Sequence, residues 1–247
     1  MFSVIFEVRP RPEQWDAYLG NAKMLRPDLE KIDGFVDNIR YRSLTREGWI
    51  LSLSNWRDEK ALVRWRTLAK HHEVQERGRF EILADYHLRV GQLTADTRLP
   101  PGCALIEQRL DETQTGTTNT VTMIDAKRSS EGGAQPNRTE LADWLGLDPN
   151  ANGLGGWDLY DAVLSPGDFI LLMSWHDHRA AEEFEKRAKT PQSARVRRVR
   201  VVRDYGMFDR REAPQYYPDV QPPITRSQSA RAPSAAGKSR AKMRHPL

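Results

Sequence analysis

The chain repeats itself at a constant spacing of 119 residues. Trp56 falls on Trp175, Asp58 on Asp177, Ala61 on Ala180, Trp65 on Phe184 and Asp85-Tyr86 on Asp204-Tyr205; upstream, Tyr41 falls on Tyr160 in the same register. A register held across both halves without a gap describes one folding unit built twice in a single chain. The spacing far exceeds the roughly 20–50 residues at which solenoid repeats stack. Two whole domains packed on each other are therefore expected, and 247 residues suffice for two domains of about 100–120 residues each.

Hydrophobic residues make up 38% of the chain and charged residues 29%, an ordinary globular balance. No stretch approaches the roughly 18 unbroken apolar residues of a membrane helix. The first seven residues are apolar but too short, and too soon charged, for a signal peptide. Cys103 is the sole cysteine, which excludes an internal disulfide and a cysteine-cluster metal site. A cytoplasmic location is expected. The net charge of +4 hides a split: residues 221–247 hold Arg226, Arg231, Lys238, Arg240, Lys242 and Arg244 and no acid, which leaves the remainder at −2. That Ser/Ala/Pro/basic tail has little to bury and reads as disordered. Nothing beside it reads nucleic-acid sequence.

Local patterns give the order of elements. Residues 2–8 alternate as a strand, with Phe2, Val4, Phe6 and Val8 on one face. Residues 13–31 carry apolar side chains at helical spacing, with Pro27 disturbing the last turns. Strands come next at 35–43 and 49–56. Asp58 caps a helix from 59 to about 75, and a strand spans 80–91. The same order returns as a strand at 121–127, a polar loop at 128–137, a helix at 139–147, strands at 157–164 and 169–175, a helix at 178–189 and a strand at 196–208. The order β-α-β-β-α-β is the ferredoxin-like split βαβ unit. Residues 103–110 have no counterpart in the first unit and read as an added strand. The expected organisation is a first α+β domain at 1–93, a linker at 94–102, a divergent second domain at 103–217 and the tail at 218–247.

The strand ending in Asn55-Trp56, the helix start Asp58-Glu59-Lys60-Ala61-Leu62, then Trp65, His72, Gln75, Gly78-Arg79 and the closing Ala84-Asp85-Tyr86-His87-Leu88-Arg89-Val90 resemble the antibiotic biosynthesis monooxygenase family. That family belongs to the dimeric α+β barrel superfamily. The pattern covers roughly residues 1–91; the second unit keeps Trp175 and Asp204-Tyr205 but has Thr190-Pro191 where the first has His71-His72. The resemblance implies two sheets packed together as an intramolecular pseudo-dimer, since an apolar sheet face must be covered. Higher homo-oligomers are compatible with it.

The resemblance also implies oxygen insertion into an electron-rich aromatic or polyketide-like small molecule, with no metal or flavin. The partners are then that substrate and oxygen, with no nucleic acid and no membrane. Such chemistry needs a base, hydrogen-bonding groups and flat walls. Ala61, Leu62, Trp65, Leu68, Ala69 and His72 share one face of a continuous helix. His72 is the candidate catalytic base, Trp65 and Trp56 the stacking walls, and Asn55 and Tyr86 the hydrogen-bonding partners. His71 falls on the solvent side. The competing reading places the tryptophans in the core, satisfies His72 at a helix end, and makes the protein a non-enzymatic binding or structural module. Haem degradation, a further branch of the superfamily, is echoed by Trp65 and His72 alone. His176-Asp177-His178 reads as a helix cap with two exposed histidines rather than a metal site. Arg195, Arg197, Arg198, Arg200 and Arg203 read as a solvated strand edge.

Overall fold

The computed structural model describes residues 1–128 and 137–222. The basic tail beyond residue 222 and most of the polar loop at 128–137 lie outside the described residues. Eight strands run in chain order as β1 (Phe2–Pro10), β2 (Phe35–Ser43), β3 (Ile50–Trp56), β4 (Leu83–Asp96), β5 (Thr120–Lys127), β6 (Leu154–Ala162), β7 (Asp168–Trp175) and β8 (Arg195–Gly206). The helices are α1 (Trp15–Leu29), α2 (Glu59–Thr67), α3 (Ala69–Arg77), α4 (Arg138–Trp144) and α5 (His178–Glu185). Among the described residues no helix is long and apolar enough to cross a membrane.

The strands close into an antiparallel barrel in the order β1-β3-β2-β6-β7-β5-β8-β4. The first half contributes β4-β1-β3-β2 and the second β8-β5-β7-β6. They join through β2 and β6, from Tyr41↔Ala162 to Ser43↔Tyr160, and through β4 and β8, from His87↔Gly206 to Asp96↔Arg197. Each half thus uses its outer strands to satisfy the backbone edge of the other, and the barrel has no edge to protect.

Closure changes which faces are buried. On β1 the side expected to be half-polar is also enclosed, with Ser3 fully buried and Glu7 5% exposed. The interior is packed by Ile5, Leu51, Leu53, Val121, Met123, Leu172 and Val199. Phe2 and Val8 pack outward beneath the helices. At one end of the barrel the interior turns polar. Glu7 accepts from Arg89 at 2.5 Å, from Tyr160 at 2.8 Å and from Arg46. Arg46 also donates to Asp158 at 2.7 Å, and Arg89 to Ser174 at 2.6 Å. Burial alone would raise the Glu7 carboxyl pKa, but Arg89, His87 and Arg46 hold it well below the usual carboxylate range. First-half charges are thereby tied to second-half groups across the seam.

Asp58 and Asp177 cap α2 and α5 alike, each accepting from a backbone N–H three residues on at 2.8 Å. Against each helix start the chain entering β2 or β6 turns on Gly34 (φ +89°) or Gly153 (φ +80°). A Cβ there would lie 2.7 Å from Ala61 and 2.5 Å from Ala180 respectively.

Two expectations are corrected. Residues 103–110 form no strand. β4, beside which they run, already has β1 and β8 on its two sides, so the segment is held instead by the Gln92 side chain, which accepts from the N–H groups of Gln108 and Arg109 at 2.6 and 2.9 Å. The arginine run of β8 is no solvated edge either, because β8 is paired on both sides. Arg197 reaches Asp125 at 2.6 Å, Arg195 reaches Asp96 at 2.6 Å, and Arg198 reaches Glu182 at 3.0 Å.

Candidate active site

The helix predicted to run unbroken from 59 to 75 breaks at Leu68, whose ψ of 124° is extended. In a continuous helix the Trp65 carbonyl would accept from the Ala69 N–H. Here it accepts from the Leu68 N–H at 3.3 Å and lies 3.0 Å from His71 Nδ1. Thr67 Oγ1 turns back onto the Val63 carbonyl at 2.9 Å, and His72 N–H starts the new helix on the Leu68 carbonyl at 2.9 Å. The break resets the helical phase. His71, expected on the solvent side, is half-buried and stacks on Trp65 with ring centroids 4.1 Å apart and planes 20° from parallel.

This turn roofs a cavity of about 230 Å³ between the first-half sheet and its helices. Its floor is the outer face of the sheet: Val4, Phe6, Asn38, Arg40, Ser52, Ser54 and Leu88. α1 contributes Tyr18, Ala22, Leu25 and Leu29, and the broken helix contributes Leu62, Trp65, His71 and Val74. The far end is closed by the second half, through Tyr205 of β8 and through Arg210, Gln215 and Tyr217 of the strap beyond it. Arg79 anchors the strap, donating to the Met207 carbonyl at 2.7 Å and lying 3.4 Å from that of Pro218.

The five residues marked from sequence separate. Trp65 and Tyr86 line the cavity. Trp56 does not: it is fully buried beside it, edge-on to Phe35 at 5.4 Å, with its indole N–H on Ser54 at 3.0 Å. Asn55 alternates to the opposite face of β3, where it accepts from Ser3 at 2.6 Å and donates to Asp37 at 2.6 Å. Two other asparagines line the cavity: Asn21 of α1, and Asn38, one strand over from Asn55, which donates to Ser52 at 3.1 Å. His72 is outside the lining and packs on the Tyr217 ring at 5.5 Å. Asn38, Arg40, Arg66, His71, Arg210 and Tyr217 went unmarked. Only the strand alternation that put Ser52 and Ser54 on one face held any signal for Asn38 and Arg40.

The electrostatics assign states to the key groups. Burial pushes the His71 imidazole down to about 4, against the opposing pull of the Trp65 carbonyl and with a smaller push from His72. The ring is therefore neutral near pH 7. A carbonyl can only accept, so Nδ1 carries the hydrogen and Nε2 keeps its lone pair. At the far end Tyr86 Oη accepts from Arg79 at 3.1 Å and from Arg210 at 2.6 Å. With both acceptor positions taken by cations, its own O–H is left to donate. The arrangement offers a neutral acceptor, a polarised donor and apolar walls.

A model of the antibiotic biosynthesis monooxygenase family matches residues 1–77, the stretch that holds Trp65, His71 and the first three strands. A protein of Pyricularia oryzae named jasmonate monooxygenase ABM is 50% identical over 223 residues, covering 88% of this chain and 99% of the relative. This chain belongs to the antibiotic biosynthesis monooxygenase family. Membership of the family supports a monooxygenase-type function on a small molecule. Among solved structures, an anthrone oxidase-like protein superimposes with a TM-score of 0.32 at 12% identity, over 87% of this chain and 96% of its own. A Pseudomonas aeruginosa protein gives 0.33 at 16%, over 36% of this chain and 89% of its own. Likenesses this remote say nothing of activity.

Proposed function

We propose that the first-half cavity is the active site of a monooxygenase acting on a small, largely apolar molecule without metal or flavin. The observation that carries this is the neutral His71 ring on the wall of an apolar cavity, its Nδ1 fixed by the Trp65 carbonyl. The reaction needs a C–H or O–H made acidic by neighbouring unsaturation. His71 Nε2 takes that proton, the role first read onto His72, and Trp65 lies against the substrate. The Tyr86 O–H stabilises the anion, which reduces oxygen directly. For a methylene between aromatic rings the balance is CH2 + O2 → C=O + H2O: one oxygen atom enters the product and the other leaves as water. Burial disfavours imidazolium at His71, so the proton passes on to the departing oxygen. His72 holds Tyr217 and the strap in place.

The domain plan belongs to the same proposal: a first unit at 1–93, a divergent second copy at 103–217 that closes the barrel and lends its strap to the first unit's site, and the tail beyond. The repeat at Gly34 and Gly153 and the matched caps at Asp58 and Asp177 support two copies of one unit.

The test is oxygen uptake with anthrones, hydroquinones and jasmonate, in the presence of a chelator and without flavin, with product masses read under 18O2. Uptake with one labelled atom in the product is expected. No uptake from any of them, or uptake that appears only on adding flavin or metal, contradicts the proposal.

A further inference from the structure

The cavity's charge is one-sided. Arg40, Arg66, Arg79 and Arg210 line it, and no aspartate or glutamate does. Elsewhere arginines at buried positions find carboxylates: Arg89 on Glu7, Arg195 on Asp96 and Arg197 on Asp125. None of the four cavity arginines forms a salt bridge among the described residues. Arg79 and Arg210 donate to neutral oxygens, namely the Tyr86 phenol and backbone carbonyls. Arg66 makes no side-chain hydrogen bond among the described residues, and its Nε is buried without a partner.

Three of these arginines converge on one end. Arg79 and Arg210 share Tyr86 Oη. Arg210 lies over the Tyr205 and Tyr217 rings, 5.8 and 5.2 Å from their centroids, and Gln215 of the same strap reaches the Arg66 carbonyl at 3.4 Å. Withdrawing a guanidinium from water without a counter-charge is costly. A cavity that keeps one buried and two half-buried guanidinium groups at one end, with no carboxylate in its lining, is complementary to a molecule that brings the missing anion. A guanidinium is suited to a carboxylate, whose two oxygens it can hold in one plane.

We infer that the substrate is a carboxylic acid with an apolar body, and that Arg66 is its anchor at the strap end of the cavity, with Arg210 and Tyr86 beside it. The apolar body extends beneath α1 toward Leu25 and Leu29 and places the oxidised carbon beside His71 and Trp65. The inference rests on the cavity being the site of oxidation, and adds the chemical class of the substrate and the residue that selects it.

Binding is measured apart from turnover, by calorimetry on the full-length protein, with jasmonic acid and 9-anthracenecarboxylic acid, each against its methyl ester. Each acid binds about 10- to 100-fold more tightly than its ester, the worth of a charge-assisted hydrogen bond. Arg66→Met, which keeps the bulk and removes the charge, abolishes that preference and leaves ester affinity within about twofold, while Arg66→Lys restores part of it. Acid affinity weakens as pH falls through the carboxylate range near 4–5. Equal binding of acid and ester overturns the inference, as does a preference that survives in Arg66→Met with Arg66→Met folded by circular dichroism. Absence of binding by both acids overturns it too. Oxygen uptake with a neutral anthrone would in each case still uphold the catalytic proposal, so the two fail separately.

Discussion

The two halves place equivalent residues in equivalent positions and do different things with the space beneath their helices. In the second half Trp175 and Phe184 pack with rings 5.0 Å apart and are 0% and 5% exposed, with Leu141, Leu145 and Leu171 around them. In the first half Trp56 is equally buried, but Trp65, at the position of Phe184, is only half-buried, lines a cavity and stacks on His71. The difference lies in the chain immediately after α2 and α5. Beyond Trp65 the backbone breaks at Leu68 and begins a second helix that carries His71 over the cavity. Beyond Phe184 the helix stops at Glu185, and Pro191 bars a second one. The second half is packed and supplies the strap, while the first half keeps an open cavity.

The comparison breaks first on stability. Phe184→Ala removes a ring from a filled core and lowers unfolding free energy by about 3–5 kcal/mol. Trp65→Ala, beside space already open, costs less than about 2 kcal/mol, because part of the ring has no packing to lose. Urea unfolding of both variants checks this; equal losses would mean that the cavity is closed in solution.

The seam between the halves is the next largest effect. Glu7→Gln leaves Arg89 and Arg46 facing a neutral amide in the barrel interior and lowers stability by about 3 kcal/mol. A loss below about 1 kcal/mol by the same denaturation assay would show that the halves are held by the core alone.

The smallest effect is the pH dependence, which sets the two histidines against each other. For His87, burial alone would lower the pKa, but Asp204 at 2.6 Å and Glu7 raise it. Its contribution is full below the unfolded value of about 6.5 and fades as pH rises through the raised folded value. His71 has the opposite sign: its folded value of about 4 lies below the unfolded one, so stability falls as pH drops from about 6.5 toward 4. Melting temperature should therefore peak between these windows. His87→Gln should flatten the alkaline side and His71→Leu the acid side; an unchanged profile in either variant contradicts its assignment.

Much of the fold was legible because its signals are local and repeated. Asp58 and Asp177 each cap a helix and Trp56 and Trp175 are each fully buried, so the caps and the strands before them could be read from spacing. Barrel closure was less so: Ser3 and Glu7 look like a solvent face until a second sheet covers them. The site was only half legible. Trp65 came from helical spacing and Tyr86 from the family resemblance, but His71 depended on a break at Leu68 that no proline or glycine marks. There the His71 ring meets the Trp65 carbonyl that the Ala69 N–H would take in a continuous helix, and such a contact has no period. Asn55 and Trp56 were misplaced with respect to the cavity because one faces the barrel interior and the other is spent on the core. The strap residues Arg210 and Tyr217 lie over 120 positions from Tyr86 and His72, and only closure of the barrel brings them together.

The most direct test is the turnover of His71→Leu beside that of Phe184→Leu, each normalised to folded protein, on whichever substrate supports oxygen uptake. Removing a group that moves a proton costs about 10²- to 10⁴-fold in rate. His71→Leu should lose at least about 100-fold in kcat while its melting temperature near neutral pH stays close to that of the unaltered protein, and Phe184→Leu should lose stability but keep its kcat. Full turnover in His71→Leu, or an equal loss of kcat in Phe184→Leu, would contradict the assignment of catalysis to the first half's cavity.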